Sequence, residues 1–394
     1  GRSWNKEEVT NLMSKNYILP WIGNWFWPDN IFHFWFTTYD RTDIMAQTFA
    51  DNLFDIRIAG KSFGKDLNFS QLNPLRPNLV INATRGSANF TTEGEKENSF
   101  GQPFTFTEED FKNIDSSIAR YKLSRGVMAS ATFPGVFNFM TLKNFKKEGG
   151  YVHLFDGGNS DNLGLTSIKR LIWTLHEDEL SNDQSRLEDY DKIIVILVDA
   201  YTNASGVSAE KPDPRNWYDF MVDSNFIVAV DSLLSKNREN LLTQFETKTI
   251  FPYASAGKKE KDKIIEACKN FFHWKDAEEA IKLCSDSPWD TLNSDIGGKM
   301  EFVHITFDGI TSDDKEEGKY LKHQLNNIPT DFKLDNTEDN KTGLTAKEAI
   351  ICVVPTLFND SNKEACKGKS YSASEKLKEK WENVLKAFGN PSYK

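Results

Sequence analysis

The chain lacks any apolar run near the roughly 20 residues that a membrane-spanning helix needs, so no bilayer-crossing segment is expected. It also lacks an excess of positive charge. Forty-eight Lys and Arg stand against 58 Asp and Glu, a net charge of −10. A nucleic-acid binder needs a basic face for phosphates, so no nucleic-acid partner is expected. The same balance gives no global pull toward anionic lipid. Metal-site spacing is missing too: there is no His-Glu-x-x-His string and no Cys-x-x-Cys pair. A zinc ribbon, a thioredoxin-type site and a metalloprotease helix are therefore not expected. No internal repeat, low-complexity linker or secretory leader is visible. The chain opens Gly1-Arg2-Ser3 without a methionine, which reads as a processed, cloned or fragmentary start.

Cysteine is scarce and confined to the last third. Cys268 with Cys284, and Cys352 with Cys366, form two sequence-local pairs. An even count paired locally fits two disulfides and an oxidising compartment such as a periplasm. Four buried free thiols in a cytosolic protein is the competing reading, because cysteine is often simply a core residue.

What is present is a globular composition, 39% hydrophobic and 27% charged over 394 residues. That is enough for one large domain or two ordinary ones. Residues 17–39 are rich in Trp, Phe and Tyr. Burial in a core is the first reading of that stretch, and contact with a membrane interface the second. Ile44, Met45, Thr48, Phe49 and Leu53 have helical spacing and predict a helix over 41–53. Strands are predicted at 78–84, 151–155, 193–198 and 301–307. The β-branched run at 193–198 is of the kind buried in parallel sheets. Helices are predicted over 118–131, 163–175, 218–246, 258–284, 314–326, 345–358 and 373–388. Strands alternating with helices predict an α/β sheet covered on both faces. The simplest organisation is an α/β core over 1–250 and a helical, cysteine-bearing extension over 251–394 with one late strand, packed on the same domain.

One segment carries a chemical suggestion. Residues 151–155 end in Asp156-Gly157-Gly158, followed by Asn159, Asp161 and Asn162 and then a helix. Ligands of open α/β sheets bind beyond the carboxyl ends of strands, so Asp156 stands where a catalytic carboxylate is expected. Asp-Gly-Gly by itself is equally an ordinary turn. Upstream lies Ala129-Ser130-Ala131-Thr132-Phe133-Pro134-Gly135-Val136-Phe137, which alone reads as a helix end and a turn. Taken in order, the two segments resemble the patatin-like phospholipase family, in which A-S-x-A-x-P-x-x-F precedes a strand ending in Asp-Gly-Gly. Asn82-Ala83-Thr84, Asp161-Asn162-Leu163-Gly164 and Leu325-Asn326-Asn327-Ile328-Pro329-Thr330 are similar to segments of a long-chain bacterial branch, and the resemblance spans most of residues 40–360.

The resemblance implies a patatin-like three-layer α/β/α fold with a helical carboxy-terminal extension. It also implies a lipid acyl hydrolase acting on carboxylic esters, with a lipid or phospholipid substrate, no organic cofactor and no metal. A serine in a G-x-S-x-G elbow would attack the acyl carbonyl, and Asp156 would be its general base. Gly157 and Gly158 would shape the turn. Peripheral membrane contact and a periplasmic, outer-membrane-associated or secreted location would follow, with the cytoplasm as the alternative.

Gly60-Lys61-Ser62-Phe63-Gly64 is the one G-x-S-x-G string, and it makes Ser62 the formal candidate nucleophile. An elbow needs a strand before the serine and a helix directly after it. The sequence after Ser62, with glycine in what would be the first turn, is a poor helix. The expectation is that the elbow and the oxyanion loop precede Gly1. The reading from a different class is a non-catalytic binding or structural protein of the same fold. His153 and His304 lie in predicted strands and read as structural.

Overall fold

A computed structural model describes residues 15–53, 55–58, 61–75, 77–87, 100–133, 137–146, 148–180, 190–199, 238–251, 268, 284, 289–326, 337–358, 364 and 366–388. The chain divides into two compact units, Gly1–Glu177 with Thr249–Leu292, and Asp178–Lys248 with Asn293–Lys394. All of 218–237, the 258–284 segment apart from its two cysteines, residues 134–136, and residues 327–330 lie outside the described residues.

The first unit opens with helices α1 (Ile18–Trp25), α2 (Pro28–Phe36) and α3 (Arg41–Asn52). Asp40 starts α3. Its carboxylate accepts the Thr42 N–H at 2.7 Å, and Asp43 accepts the Asp40 N–H at 3.2 Å, a reciprocal cap that satisfies otherwise orphan donors. Ile44, Met45, Thr48 and Phe49 are buried, as their spacing predicts. The aromatic stretch corrects the expectation of a core segment. Tyr17 and Trp21 turn inward, Tyr17 against Phe49 and Trp21 against Phe137. No residue of α2 is buried. The inward places are filled by Trp21 and Tyr17, and a helix apolar on most sides offers more surface than one neighbour can cover.

Next, β1 (Asp55–Ile58) and β2 (Lys61–Asp66) pair as an antiparallel hairpin. Strands β3 (Asn82–Arg85) and β4 (Pro103–Thr105) follow, then helices α4 (Glu108–Lys112) and α5 (Leu123–Ser130), strands β5 (Met140–Asn144) and β6 (Gly150–Asp156), and helices α6 (Gly158–Asp161) and α7 (Leu165–Leu180). The sheet order is β4-β3-β6-β5, antiparallel throughout. The helix predicted over 118–131 is split. Leu123 N–H donates to the Leu67 carbonyl at 2.7 Å, and Tyr121 and Lys122 are extended, so α5 begins only at Leu123. Met140 and Leu142 on β5, with Val152 and Leu154 on β6, bury one face of the sheet, the period-two pattern of a half-covered strand pair.

A buried charge pair ties α7 to β4 and α4. Asp110 is fully buried and accepts from Arg170 Nη1 at 2.8 Å and from the Thr105 N–H at 2.7 Å. Burial pushes its carboxyl up, but Arg170 and Arg85 outweigh that and hold it below the usual range.

In the second unit, β7 (Ile193–Asp199) runs parallel to β8 (Met300–Thr306), and α8 (Trp289–Lys299) leads into β8. After β9 (Ile310–Ser312) come α9 (Lys315–Asn326), α10 (Ala346–Leu357), β10 (Tyr371–Ala373) and α11 (Glu375–Ala387), with β9 and β10 antiparallel. Val303, Ile305, Leu321, Val353 and Leu377 form the core. β7 is parallel as expected but covered on one face only, since Ile196 and Val198 are exposed. A disulfide joins Cys352 to Cys366 in this unit and another joins Cys268 to Cys284 in the first, and among the described residues no cysteine is free. The fold is mixed α/β. The strands predicted at 78–84 and 151–155 share an antiparallel sheet, and those at 193–198 and 301–307 form the parallel pair.

Candidate functional site

The two motifs separated in the sequence meet in space. Asp156 ends β6, with Ala83 of β3 opposite it. Its N–H donates to the Thr132 carbonyl at 3.0 Å, and the Gly157 N–H donates to the Ser130 carbonyl at 3.2 Å. The end of α5 thus clamps the backbone that carries the aspartate. Thr84 Oγ1 donates to the Asp156 carbonyl at 2.7 Å from the other side. Gly157 has a steric reason: a Cβ there would lie 2.3 Å from the Asn82 carbonyl oxygen, so the close approach of β3 excludes any side chain.

The Asp156 carboxylate accepts the Gly158 N–H at 2.7 Å through Oδ1. Among the described residues no other group hydrogen-bonds it. Burial pushes its pKa up from the ordinary carboxylate value, and the Gly158 N–H offsets part of that rise. A half-buried carboxylate with one oxygen fixed and one unengaged, its pKa raised above the ordinary carboxylate value, has the character of a proton acceptor.

Around it sits a polar network. Thr84 Oγ1 and Ser160 Oγ are 2.8 Å apart. Asp161 is buried and accepts the Thr166 and Ser167 N–H groups at 3.0 and 2.8 Å, starting α7. Asn82 Nδ2 donates to it at 3.3 Å. Behind the network, burial pushes Lys169 down to about 8, against the raising influence of Asp161. Sequence reasoning did not single out Lys169 or Ser160. For Lys169 a signal existed: it lies four residues after Leu165 and three before Ile172, both buried, so it stands on the apolar side of a helix.

The remaining candidates lie elsewhere. The backbone places Ser62 opposite Arg57 within the β1–β2 hairpin, which is not the strand–turn–helix of a nucleophile elbow. His153 Nδ1 is 2.9 Å from Thr141 Oγ1 across β5 and β6. His304 Nε2 is 3.1 Å from Asp199 Oδ2, which also accepts from Arg238 Nε at 3.1 Å. Both histidines are thus held by neighbouring side chains.

Two clefts open on the first unit. A polar one of about 660 Å³ is lined by residues including Asp40, Asp43, Arg125, Lys143 and His153. An apolar one of about 510 Å³ lies against α1 and α2. Asp156 lines neither, because side chains alternate along β6 and His153 and Asp156 point to opposite faces. Among the described residues no group of three or more His, Cys, Asp or Glu could hold a metal ion, and no helix is long and apolar enough to cross a membrane. Comparison with protein-family models, with curated proteins and with solved structures gives no match to this chain.

Proposed function

We propose that this chain belongs to a lipid acyl hydrolase of patatin-like α/β/α fold, in which Asp156 is the general base of a Ser–Asp pair. The observation that carries this reading is the Asp156 carboxylate itself. It stands at a strand's carboxyl end, raised by burial and anchored through one oxygen to the Gly158 N–H. The clamp from the Ser130 and Thr132 carbonyls gives the Ala129-Ser130-Ala131-Thr132 segment a role in holding it. In the reaction, a serine hydroxyl hydrogen-bonds the unengaged carboxylate oxygen. Its proton passes to Asp156 as Oγ attacks the ester carbonyl. Backbone N–H donors stabilise the tetrahedral oxyanion. The protonated aspartic acid then gives its proton to the leaving alcohol, and water resolves the acyl-enzyme. Gly157 and Gly158 let the chain turn without crowding the carboxylate. The substrate class is a lipid or phospholipid ester, and the two disulfides favour an oxidising location, periplasmic, outer-membrane-associated or secreted.

A fluorophosphonate probe tests this, with peptide mapping of the labelled serine. Label that is lost in Asp156→Asn supports the Ser–Asp pair and identifies the nucleophile, Ser62 included. Label that persists unchanged in Asp156→Asn removes Asp156 from the chemistry. The second reading, a non-catalytic binding protein of the same fold, is favoured by one observation: among the described residues no hydroxyl hydrogen-bonds the Asp156 carboxylate. Absence of label on any serine fits that reading and equally a nucleophile that this chain does not contain, which labelling of the full-length gene product separates.

A further inference from the structure

Exposed apolar surface on the first unit is concentrated in one stretch. Phe26, Trp35 and Phe36 are 72%, 74% and 72% exposed, and Trp27 and Phe32 are nearly as open. Single exposed apolar residues are ordinary. A contiguous aromatic patch marks a surface that meets something apolar, and a helix apolar on most sides belongs in an apolar medium.

Charge narrows the partner. The helices Ile18–Trp25 and Pro28–Phe36 contain no Lys or Arg, and their one formal charge is Asp29. The groove's edge carries Arg41, over the Trp25 ring, next to Asp40, so with a net −10 on the whole chain the patch has no surplus of positive charge to draw it to an anionic surface. Its residue types are those that settle at the headgroup level of a bilayer. The apolar cleft, lined by Trp25, Ile31, Phe34 and Trp35, shares Tyr39 and Asp40 with the polar cleft. The polar cleft carries both signs, Asp40 and Asp43 with Arg125 and Lys143. Arg125 and Asp43 pair at 2.9 Å. An aromatic groove that opens beside a cleft of balanced charge complements an amphiphile with a zwitterionic head.

We propose that the α1–α2 aromatic surface docks on a zwitterionic phospholipid bilayer, with the acyl chain of one lipid in the apolar groove and its head in the polar cleft. The docking goes beyond the hydrolase reading and requires neither Asp156 nor turnover, because the cleft and Asp156 lie on opposite faces of β6.

The experiment is co-flotation of the chain with vesicles of pure phosphatidylcholine and, separately, of pure phosphatidylglycerol, with Asp156→Asn run in parallel. Expected is flotation with phosphatidylcholine, equal in Asp156→Asn and little changed when salt is raised several-fold. A Phe32→Ser/Trp35→Ser double variant lowers the bound fraction at least tenfold while its circular dichroism is unchanged, since both side chains are exposed. Lys143→Glu, which reverses one of the cleft's two exposed cations, weakens binding several-fold. Flotation only with phosphatidylglycerol and lost in salt overturns the proposal, as does undiminished binding of the double variant. No flotation with either vesicle overturns it too, as does a vesicle-free dimer that the double variant dissolves, which would assign the patch to a second copy of the chain.

Discussion

Asp156 keeps an ionisable group in a half-buried setting with a single hydrogen bond to its side chain. Its folded-state pKa lies above the ordinary carboxylate value because burial disfavours the charge. Between the unfolded value and that raised value the native state binds more protons than the unfolded one. Stability therefore falls as pH rises through this window. Asp156→Asn removes the ionisation and keeps an oxygen to accept the Gly158 N–H. The variant is expected to be at least as stable as the parent at pH 7, with the difference vanishing below about pH 4. Thermal unfolding at several pH values checks the sign. If Asp156 is the base, the same substitution lowers ester hydrolysis by about 10²–10⁴-fold. The parent's rate then declines on the acid side at a higher pH than an unperturbed aspartate would give.

At the scale of elements, the antiparallel sheet and α7 are joined by the Arg170–Asp110 pair, with Arg85 Nη2 3.7 Å from the same carboxylate. Both partners are buried. Removing one side of a buried pair leaves the other charge uncompensated, which costs about 3–5 kcal/mol. Asp110→Ala is expected to lose that much in urea unfolding, although Asp110 makes no hydrogen bond to the proposed base. An unchanged midpoint would show that the cluster contributes little. The sequence offered no sign of this pairing, because Asp110 and Arg170 are distant in the chain and each is an ordinary surface type. By contrast α3, β6, α9, α10 and α11 were legible within a few residues, since apolar periodicity and terminal caps are local properties. The 118–131 helix was misjudged at its start, where a tertiary hydrogen bond from Leu123 to Leu67 holds the preceding residues extended.

For the whole molecule, the disulfides bear on where the chain works. Thiol alkylation under denaturing, non-reducing conditions is expected to find no reactive cysteine, and four after reduction, as the bonded pairs require. Cys352 and Cys366 close a loop with a sequence separation of 14. Replacing both with serine is expected to destabilise the second unit by about 3 kcal/mol, the loop-entropy value for a closure of that length. Equal stability of that variant and the parent would mean that the buried packing around α10 is sufficient without the bond.

Composition and local pattern settled several things alone. They gave the mixed α/β class and the turn that carries Asp156, and they grouped the cysteines into two local pairs without deciding between disulfides and free thiols. Each depends on residues near one another in the chain. Tertiary structure decided the rest. It placed residues 130–132 against Asp156 and Gly157, and it divided the strands between an antiparallel sheet and a parallel pair. It also turned the aromatic residues of α2 outward. No local rule could give these results, because strand partners and exposed faces depend on which distant segments compete for the same buried surface, and that competition is resolved only when the chain has closed on itself.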